Sequence, residues 1–374
     1  MTQVRPVTDF DLVRYGFQVP FPNHINDNVR VTSKDAILPN DFTNKALEHI
    51  EREWLGYRSE YFPRNEDRAK SQRAPYIVNL SGGIDSSTAL ALATEAIGPE
   101  NVLAVTYRHD TMNPAERDDI EKSKLVAEHL GLTSRDRYLI IDLTDEIAAH
   151  KKTLEKIGIN SQTTPQALRD SYSAEQMVRM RAGYINNLVW QYGGAITIDT
   201  SNINELFMGN ITAGADLGMV GVIGDLLKCE IYKVGEEIGL PKEITEQEKR
   251  TGEFGTSVQE MFGVGQDILD PIVDAYLRDQ SDSGVEKALA LGHDPNWTQA
   301  IMERIALTRL RYYGIGPVSD VRDSLEGETQ RQHHNNLEKK LLPPHVMSSR
   351  QLWREGELAK ELFKCREQYM PTGN

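Results

Sequence analysis

The sequence has little of what disulfide-rich, secreted and membrane proteins require. Only two cysteines, Cys229 and Cys365, occur among 374 residues, so a disulfide framework or a CxxC metal site is excluded. No apolar stretch approaches the roughly 20 residues that span a bilayer. The opening MTQVRPVTDFDLVRYG lacks the apolar segment of a secretory signal. These absences predict a soluble protein of the reducing cytoplasm without a membrane partner.

Positive charge is also scarce. The chain has 42 Lys and Arg against 56 Asp and Glu, a net charge of −14. Nucleic-acid binding takes several phosphate contacts from Lys and Arg, so we expect no nucleic-acid partner. A small anionic substrate needs only a few placed cations, and nucleotide binding therefore stays open.

Short apolar runs alternate with helical patterns from Pro75 onward. The strand runs stand at 76–80, 102–107, 138–143 and 195–200, and the helical patterns at 86–98, 120–132 and 173–192. This alternation is typical of βαβ units around a parallel sheet. The prediction is an α/β fold, a doubly wound parallel sheet with flanking helices, over about 75–245.

Three regions are expected along the chain. Residues 1–74 are predicted to form an N-terminal arm with an amphipathic helix at 43–58, residues 75–317 a catalytic domain, and residues 318–374 a charged helical tail. Further helical patterns beyond the sheet lie near 266–280, 284–291, 297–311 and 350–366.

The sharpest motif is the turn SGGIDSS at 81–87, between the first strand and the first helix. Gly82 and Gly83 permit backbone geometry that a Cβ would obstruct. The amides of such a turn and the following helix N-terminus favour an anion. Hydroxyl groups for the same anion come from Ser81, Ser86 and Ser87. The motif predicts a phosphate site, with an ordinary helix-capping turn as the alternative.

Asp85 gives the turn its chemical character. A carboxylate repels phosphate unless a cation bridges the two, and Mg²⁺ is the natural cation. The turn is not a Walker A loop, because no GK[ST] follows the glycines. A strand, an SGGxDS turn and a helix in this order resemble the N-type ATP pyrophosphatases. That resemblance implies an enzyme that binds ATP, releases pyrophosphate and leaves AMP on an acceptor oxygen.

A second stretch narrows the resemblance. IDTSNINELFMGNITAGADLGMVGVIGDLLKCEIYKVGEEIGLP at 198–241 is similar to a corresponding segment of the NAD synthetase family. The resemblance covers about 75–280 and implies a Rossmann-like fold. It also implies ammonia-dependent conversion of deamido-NAD to NAD with consumption of ATP, and a homodimer.

The same resemblance suggests individual roles. Thr200 matches the turn threonine of the ATP site, and Glu205 matches a glutamate that binds Mg²⁺ together with Asp85. Lys228 matches a lysine beside the transferred phosphoryl group, where a cation stabilises the transition state. Asp216 matches an aspartate of the family segment, where it would orient the nicotinate-side carboxamide or ammonia and accept a proton from the attacking nitrogen. The alternatives are a helix-start acid for Glu205, a turn residue for Asp216 and a solvated lysine for Lys228.

A further metal ligand is expected in a lid. Thr251 lies in the Gly- and Thr-rich segment 249–260, at the place where the family closes its site with a threonine or serine that meets the metal. A plain glycine-rich linker is the alternative for this segment.

The departures from the family pattern lie on the acceptor side. Arg179, Arg181 and Thr212 match acceptor-binding positions, but Met177 stands where a dinucleotide-contacting arginine is expected. Residues 213–215 lack the usual lysine and tyrosine. The alternative function is therefore a related adenylating amide ligase with a different carboxylate acceptor. A tRNA-modifying relative is less favoured, because the sequence shows no basic face. A catalytically silent nucleotide sensor is also less favoured, because Asp85, Glu205, Asp216 and Lys228 are retained.

The nitrogen source is predicted from the absence of a recognisable glutaminase domain in the sequence. A glutaminase domain needs well over a hundred residues and a nucleophilic cysteine, and residues 1–74 contain no cysteine. Free ammonia, or a separate glutaminase partner, is therefore expected.

Overall fold

The protein is described from a computed structural model. The structure describes residues 38, 41–48, 50–51, 75–110, 112, 114–157, 166–192, 195–208, 218, 220–224, 226–246, 269–270 and 273, without the side chains of 115, 166–175 and 206–208. The predicted tail at 318–374 and most of the helical patterns beyond 245 lie outside these residues.

The described elements alternate as a βαβ chain does. In order they are β1 (Tyr76–Asn79), α1 (Ile84–Ile97), a 3₁₀ turn (Pro99–Asn101), β2 (Val102–Arg108), α2 (Pro114–His129), β3 (Tyr138–Asp142), α3 (Thr144–Lys156), α4 (Gln166–Gln191), β4 (Ile196–Asp199), α5 (Ile203–Met208), β5 (Val220–Gly221), α6 (Lys228–Glu237) and α7 (Lys242–Thr245). Residues 42–48, 50 and 51 are also helical. None of the helices among the described residues combines the length and apolar composition that a bilayer crossing requires.

The five strands form one parallel sheet in the order β3-β2-β1-β4-β5. The strand order reverses at β1, with β2 and β3 on one side and β4 and β5 on the other. In open α/β sheets ligands bind in the crevice outside the carboxyl ends of the strands at such a switch point. The turns that follow β1 and β4 therefore open into one crevice. The predicted α/β fold with a parallel sheet is confirmed.

The two faces of the sheet bury separate apolar clusters. Tyr76 and Val78 of β1 face a cluster shared with α1, α2 and α6, whereas Ile77 between them faces a cluster shared with α4. Because successive side chains of a strand point to opposite faces, a strand covered on both sides is a continuous apolar run. This is why the run at 76–80 was recognisable from sequence.

Element boundaries differ from the sequence prediction at several helices and strands, among them α4, which begins at Gln166 instead of about 173. Helix α2 begins at Pro114 instead of about 120, because proline is well suited to a first helical turn. Helix α3 was not predicted. It has no fully buried residue, and an exposed helix needs no clear apolar pattern in its sequence. Strand β5, also not predicted, is only two residues long.

Part of the predicted N-terminal arm packs into the core. Phe42, Ala46 and Ile50 are at most 1% exposed and belong to the cluster of α1 and α6. The hydroxyl of Thr43 donates a hydrogen bond to Glu237 at the end of α6. The helical residues around 42–51 are therefore packed against the sheet domain.

Candidate active site

The turn between β1 and α1 is shaped by one obligatory glycine. Gly82 has a φ of +86°, and a Cβ there would lie 2.1 Å from the carbonyl oxygen of Asp119 in α2. Gly83 has a φ of −78°, and its Cβ would meet Ser81 Oγ at an acceptable 3.4 Å. Side chains other than hydrogen are therefore excluded at Gly82 by both backbone strain and space.

Serine hydroxyls hold the same turn together. Ser86 Oγ accepts a hydrogen bond from Ser81 N–H at 3.1 Å and lies 2.9 Å from Ser81 Oγ. Ser86 Oγ also donates to the carbonyl oxygen of Gly83 at 3.2 Å. Ser87 Oγ is buried and has no hydrogen-bond partner within the described residues. The structure thus uses Ser81 and Ser86 to shape the turn, and their predicted contact with phosphate stays a prediction.

Asp85 is the centre of the candidate site. It lies in the first turn of α1, and its Oδ2 forms an ion pair with Nζ of Lys228, the first residue of α6. Asp85 Oδ1 accepts a hydrogen bond from Asn202 Nδ2 at 3.0 Å. Lys228 is 6% exposed, so this is a buried lysine with a defined partner and not the solvated lysine that the sequence left open.

Glu205 joins this group through Asn202. Asn202 N–H donates to Glu205 Oε2 at 3.1 Å, and Glu205 N–H donates to Asn202 Oδ1 at 3.0 Å. The reciprocal pair is a capping box at the start of α5. Asn202 therefore contacts both predicted magnesium ligands, Asp85 through its side-chain nitrogen and Glu205 through its backbone N–H and its side-chain oxygen.

The electrostatics of the group are strongly coupled. Burial first, and then the neighbouring Asp85 carboxylate, raise the pKa of Glu205 to about 8, against the opposing effect of Lys228. Burial lowers the pKa of Lys228, but Asp85 and Glu205 together raise it more, so the net shift is upward. The lysine stays charged, whereas one carboxyl group of the site holds a proton near neutral pH.

The donor set fits a magnesium ion that arrives with a nucleotide. Mg²⁺ is usually held by one or two carboxylates, substrate phosphates and water, and Asp85 and Glu205 supply two carboxylates beside the turn. Within the described ranges no group of three or more His, Cys, Asp or Glu could hold an ion by itself.

The end of β4 borders the same crevice. Thr200 follows β4 directly and is half-buried, and the neighbouring Asp199 accepts a hydrogen bond from Ser201 N–H at 2.9 Å. A Cβ on Gly218 would lie 2.2 Å from the backbone nitrogen of Asp199, so the chain just after the predicted Asp216 lies against the end of β4. The predicted residues Thr212, Asp216 and Thr251 themselves lie outside the described residues.

The predicted acceptor arginines both lie on α4. Arg179 is exposed, and the guanidinium of Arg181 lies 5.8 Å from the ring centroid of Tyr107 near the end of β2. Burial raises the pKa of Tyr107, and its hydroxyl donates to the carbonyl oxygen of Arg181 at 3.2 Å. Met177 packs against the apolar cluster on this face. Arg181 is thus in contact with the sheet, while Arg179 is open to solvent.

Sequence reasoning missed two polar residues that hold the site. Asn202 stands three positions before Glu205, a pattern typical of a capping box, and that signal was present in the sequence. Asp270 accepts hydrogen bonds from Asn204 Nδ2 and from Cys229 N–H, the latter at 3.3 Å. These partners are distant in sequence, so no local pattern could have indicated them.

The fold and the site together define a class. An open parallel sheet with a glycine turn, a helix N-terminus and buried acidic and basic groups at its switch point is a nucleotide-binding domain of the doubly wound α/β type. The NAD synthase family model matches residues 65–311. The chain therefore belongs to the NAD synthase family, and it is a carbon–nitrogen ligase. The family resemblance inferred from the two motifs is confirmed.

Relatives in this family share the matched region. The chain is 29% identical to an NH3-dependent NAD⁺ synthetase of Methanocaldococcus jannaschii over 213 residues, which cover 56% of this chain and 76% of the relative. It is 30% identical to the synthetase of the same description from Pyrococcus horikoshii over 199 residues, 53% of this chain and 70% of the relative.

Solved structures show the same fold. An NH3-dependent NAD synthetase from Campylobacter jejuni has a TM-score of 0.51 at 21% identity, covering 73% of this chain and 95% of that one. An NMN synthetase from Francisella tularensis has a TM-score of 0.52 at 19% identity, covering 72% and 97%. At these identities the likeness concerns the architecture of the domain.

Proposed function

We propose that this chain is an ammonia-dependent NAD synthetase, which adenylates the carboxylate of deamido-NAD and replaces the adenylate with ammonia. The products are NAD, AMP and pyrophosphate. The observation that carries the proposal is the ion pair between the buried Lys228 and the half-buried Asp85, linked through Asn202 to Glu205 at the switch point of the sheet. Membership of the NAD synthase family supports the reaction class.

We propose places for the phosphates of ATP and for the cations that would neutralise their charge. The phosphates enter at the turn that contains Gly82, where backbone amides and the positive end of α1 favour an anion. Asp85 and Glu205 would hold Mg²⁺, which neutralises charge on the departing pyrophosphate. Lys228, which its carboxylate neighbours keep charged, stabilises the charge that builds on the α-phosphorus.

Two bond exchanges complete the reaction. In the first, a carboxylate oxygen of the acceptor bonds to the α-phosphorus and the bond to pyrophosphate breaks. In the second, ammonia bonds to the acyl carbon, AMP leaves, and the attacking nitrogen loses a proton. The family resemblance gives that proton to Asp216. Arg179, Arg181 and Thr212 are proposed to bind the acceptor, Thr200 the nucleotide and Thr251 the metal.

The direct test measures pyrophosphate release. Purified chain with Mg²⁺-ATP, ammonium and deamido-NAD is expected to form NAD, AMP and pyrophosphate in equal amounts. The Asp85→Asn variant is expected to lose most of this turnover, because it removes a metal ligand and the partner of Lys228. Absence of pyrophosphate release from the unaltered chain would rule the function out. Unchanged ATP affinity and turnover in the variant would place the nucleotide elsewhere.

A second acceptor is favoured by one observation. Met177, which stands where the family has a dinucleotide-contacting arginine, packs against the apolar cluster on the α4 face and offers an acceptor no charge. A smaller acceptor such as nicotinate mononucleotide lacks the second nucleotide that a dinucleotide-contacting arginine would serve, and the structural neighbour from Francisella tularensis is named an NMN synthetase. Comparing kcat/KM for the two acceptors decides between them. A preference for the mononucleotide would replace deamido-NAD in the proposal.

The nitrogen source is a separate proposal. Cys229 is 1% exposed, and a buried thiol is a poor nucleophile, so it does not suit glutamine hydrolysis. We expect activity with ammonium and none with glutamine alone, unless a separate glutaminase is added. A rate with glutamine equal to that with ammonium would contradict this. The homodimer implied by the family resemblance is tested by the mass of the protein in solution.

A further inference from the structure

Two helix starts that carry site residues meet at one buried carboxylate. Asp270 is 0% exposed. Its Oδ1 accepts a hydrogen bond from Asn204 Nδ2 in α5, and its Oδ2 accepts from the backbone N–H of Cys229 in the first turn of α6, at 3.3 Å. Each oxygen of the carboxylate thus binds a different helix.

The two contacted residues are direct neighbours of site residues. Asn204 precedes Glu205 in α5, and Cys229 follows Lys228 in α6. The position of Asp270 therefore fixes the separation between the helix start that carries the acidic group and the helix start that carries the basic one.

The start of α6 depends on acceptors other than its own N-cap side chain. The N-cap residue is Leu227, whose side chain has no hydrogen-bond acceptor, so the first-turn N–H groups must be satisfied by other residues. The backbone N–H of Leu227 donates to Glu230 Oε2 at 2.8 Å, and Cys229 N–H donates to Asp270. The positive end of a helix favours a carboxylate at this position.

We propose that Asp270 is a positioning residue of the active site, whose carboxylate clamps α5 to α6 and thereby holds Glu205 and Lys228 at the separation that nucleotide activation needs. The inference rests on the proposed function for its catalytic consequence. Asp270 touches neither the nucleotide nor the reacting atoms in this proposal, and it acts through the two helices.

The decisive variant is Asp270→Asn. Asparagine keeps the shape but has one oxygen in place of two, so it cannot accept from both Asn204 and Cys229. We expect kcat for pyrophosphate release at saturating substrates to fall about 10- to 100-fold, as for residues that support metal ligands. We expect the affinity for Mn²⁺ in the presence of a non-hydrolysable ATP analogue, followed by electron paramagnetic resonance, to fall about 10-fold.

Leu132→Ala provides the matched control for lost stability. Leu132 is 0% exposed and lies between α2 and β3, at the amino edge of the sheet and away from the crevice. Both variants are measured below their unfolding midpoints. The control is expected to lower the midpoint while kcat and Mn²⁺ affinity stay near those of the unaltered chain. If Asp270→Asn behaves like Leu132→Ala, its role is only structural and the proposal is wrong.

A swap of the two side chains tests the hydrogen bond itself. In the double variant Asn204→Asp with Asp270→Asn, the side-chain nitrogen introduced at position 270 donates a hydrogen bond to the carboxylate introduced at position 204. The side-chain oxygen at position 270 still accepts from Cys229 N–H. Recovery of kcat above that of Asp270→Asn alone supports the clamp, and no recovery overturns it. The Mn²⁺ affinity measures the positioning of the site without any turnover. If the unaltered chain releases no pyrophosphate, the proposed function is wrong, but the Mn²⁺ affinities of the variants still test the role of Asp270.

Discussion

At the scale of single residues, the proposed metal site implies a competition between a proton and a metal ion for Glu205. Burial and the nearby Asp85 raise the pKa of Glu205 to about 8. Below that pH the metal-free protein therefore holds a proton on a group that a cation needs deprotonated. Lys228 opposes this shift but does not cancel it.

The first prediction concerns the pH dependence of metal binding. Binding of Mn²⁺ or Mg²⁺ is expected to release about one proton below pH 8, so that affinity rises as pH increases towards about 8 and levels off above it. The Glu205→Gln variant is expected to bind more weakly with a flatter profile. Metal titrations by calorimetry in two buffers of different ionisation enthalpy measure the released proton. A flat profile for the unaltered chain between about pH 6 and 9 would contradict the role of Glu205.

The second prediction concerns the buried ion pair. Asp85→Asn leaves the charge of Lys228 buried without its partner and is expected to lower the free energy of unfolding by about 3 kcal/mol. Adding Lys228→Met removes that uncompensated charge and is expected to restore part of the loss. Denaturant unfolding of both variants measures the difference. A double variant less stable than Asp85→Asn alone would show that the lysine stabilises the fold by contacts other than this pair.

At the scale of elements, the turn between β1 and α1 contains a matched pair of glycines. Gly82→Ala places a methyl group against the carbonyl oxygen of Asp119 at a φ of +86°, whereas Gly83 has an ordinary φ and its added methyl group would make only a 3.4 Å contact with Ser81 Oγ. We expect Gly82→Ala to cost about 1–3 kcal/mol of unfolding free energy and to weaken ATP binding.

Gly83→Ala is the control for this third prediction. It is expected to change the unfolding free energy by less than about 1 kcal/mol, since no strained backbone angle is required there. Denaturant unfolding and ATP titration of the two variants provide the comparison. Equal losses for both glycines would mean that the turn depends on flexibility and not on the contact with α2.

The same turn shows what sequence reasoning was able to predict. The apolar run of β1, the glycines and the pattern of α1 are local signals, and each predicted the element that the structure contains. The contact between Asp85 and Lys228 joins residues 143 positions apart, so only the family resemblance brought them together beforehand. The clamp at Asp270 had neither a local pattern nor a family motif to indicate it. Long-range hydrogen bonds are set by packing, which composition and periodicity do not encode.

At the scale of the whole molecule, the sheet domain includes chain from well before its first strand. The helical residues around 42–51 bury three apolar side chains in the cluster between α1 and α6. Because α6 carries Lys228 at its start and Glu237 at its end, and Glu237 accepts a hydrogen bond from Thr43, this segment supports the helix on which the basic group of the site stands.

The fourth prediction tests that support. Phe42 is 0% exposed, and Phe42→Ala is expected to lower the free energy of unfolding by about 3–5 kcal/mol. Asn44→Ala, on the exposed side of the same segment, is the control and is expected to stay within about 0.5 kcal/mol. Both are measured by denaturant unfolding monitored at the far-ultraviolet helix signal. If Phe42→Ala unfolds like its control, the segment contributes little to the stability of the domain, and α6 is held in place by the sheet and α1 without its help.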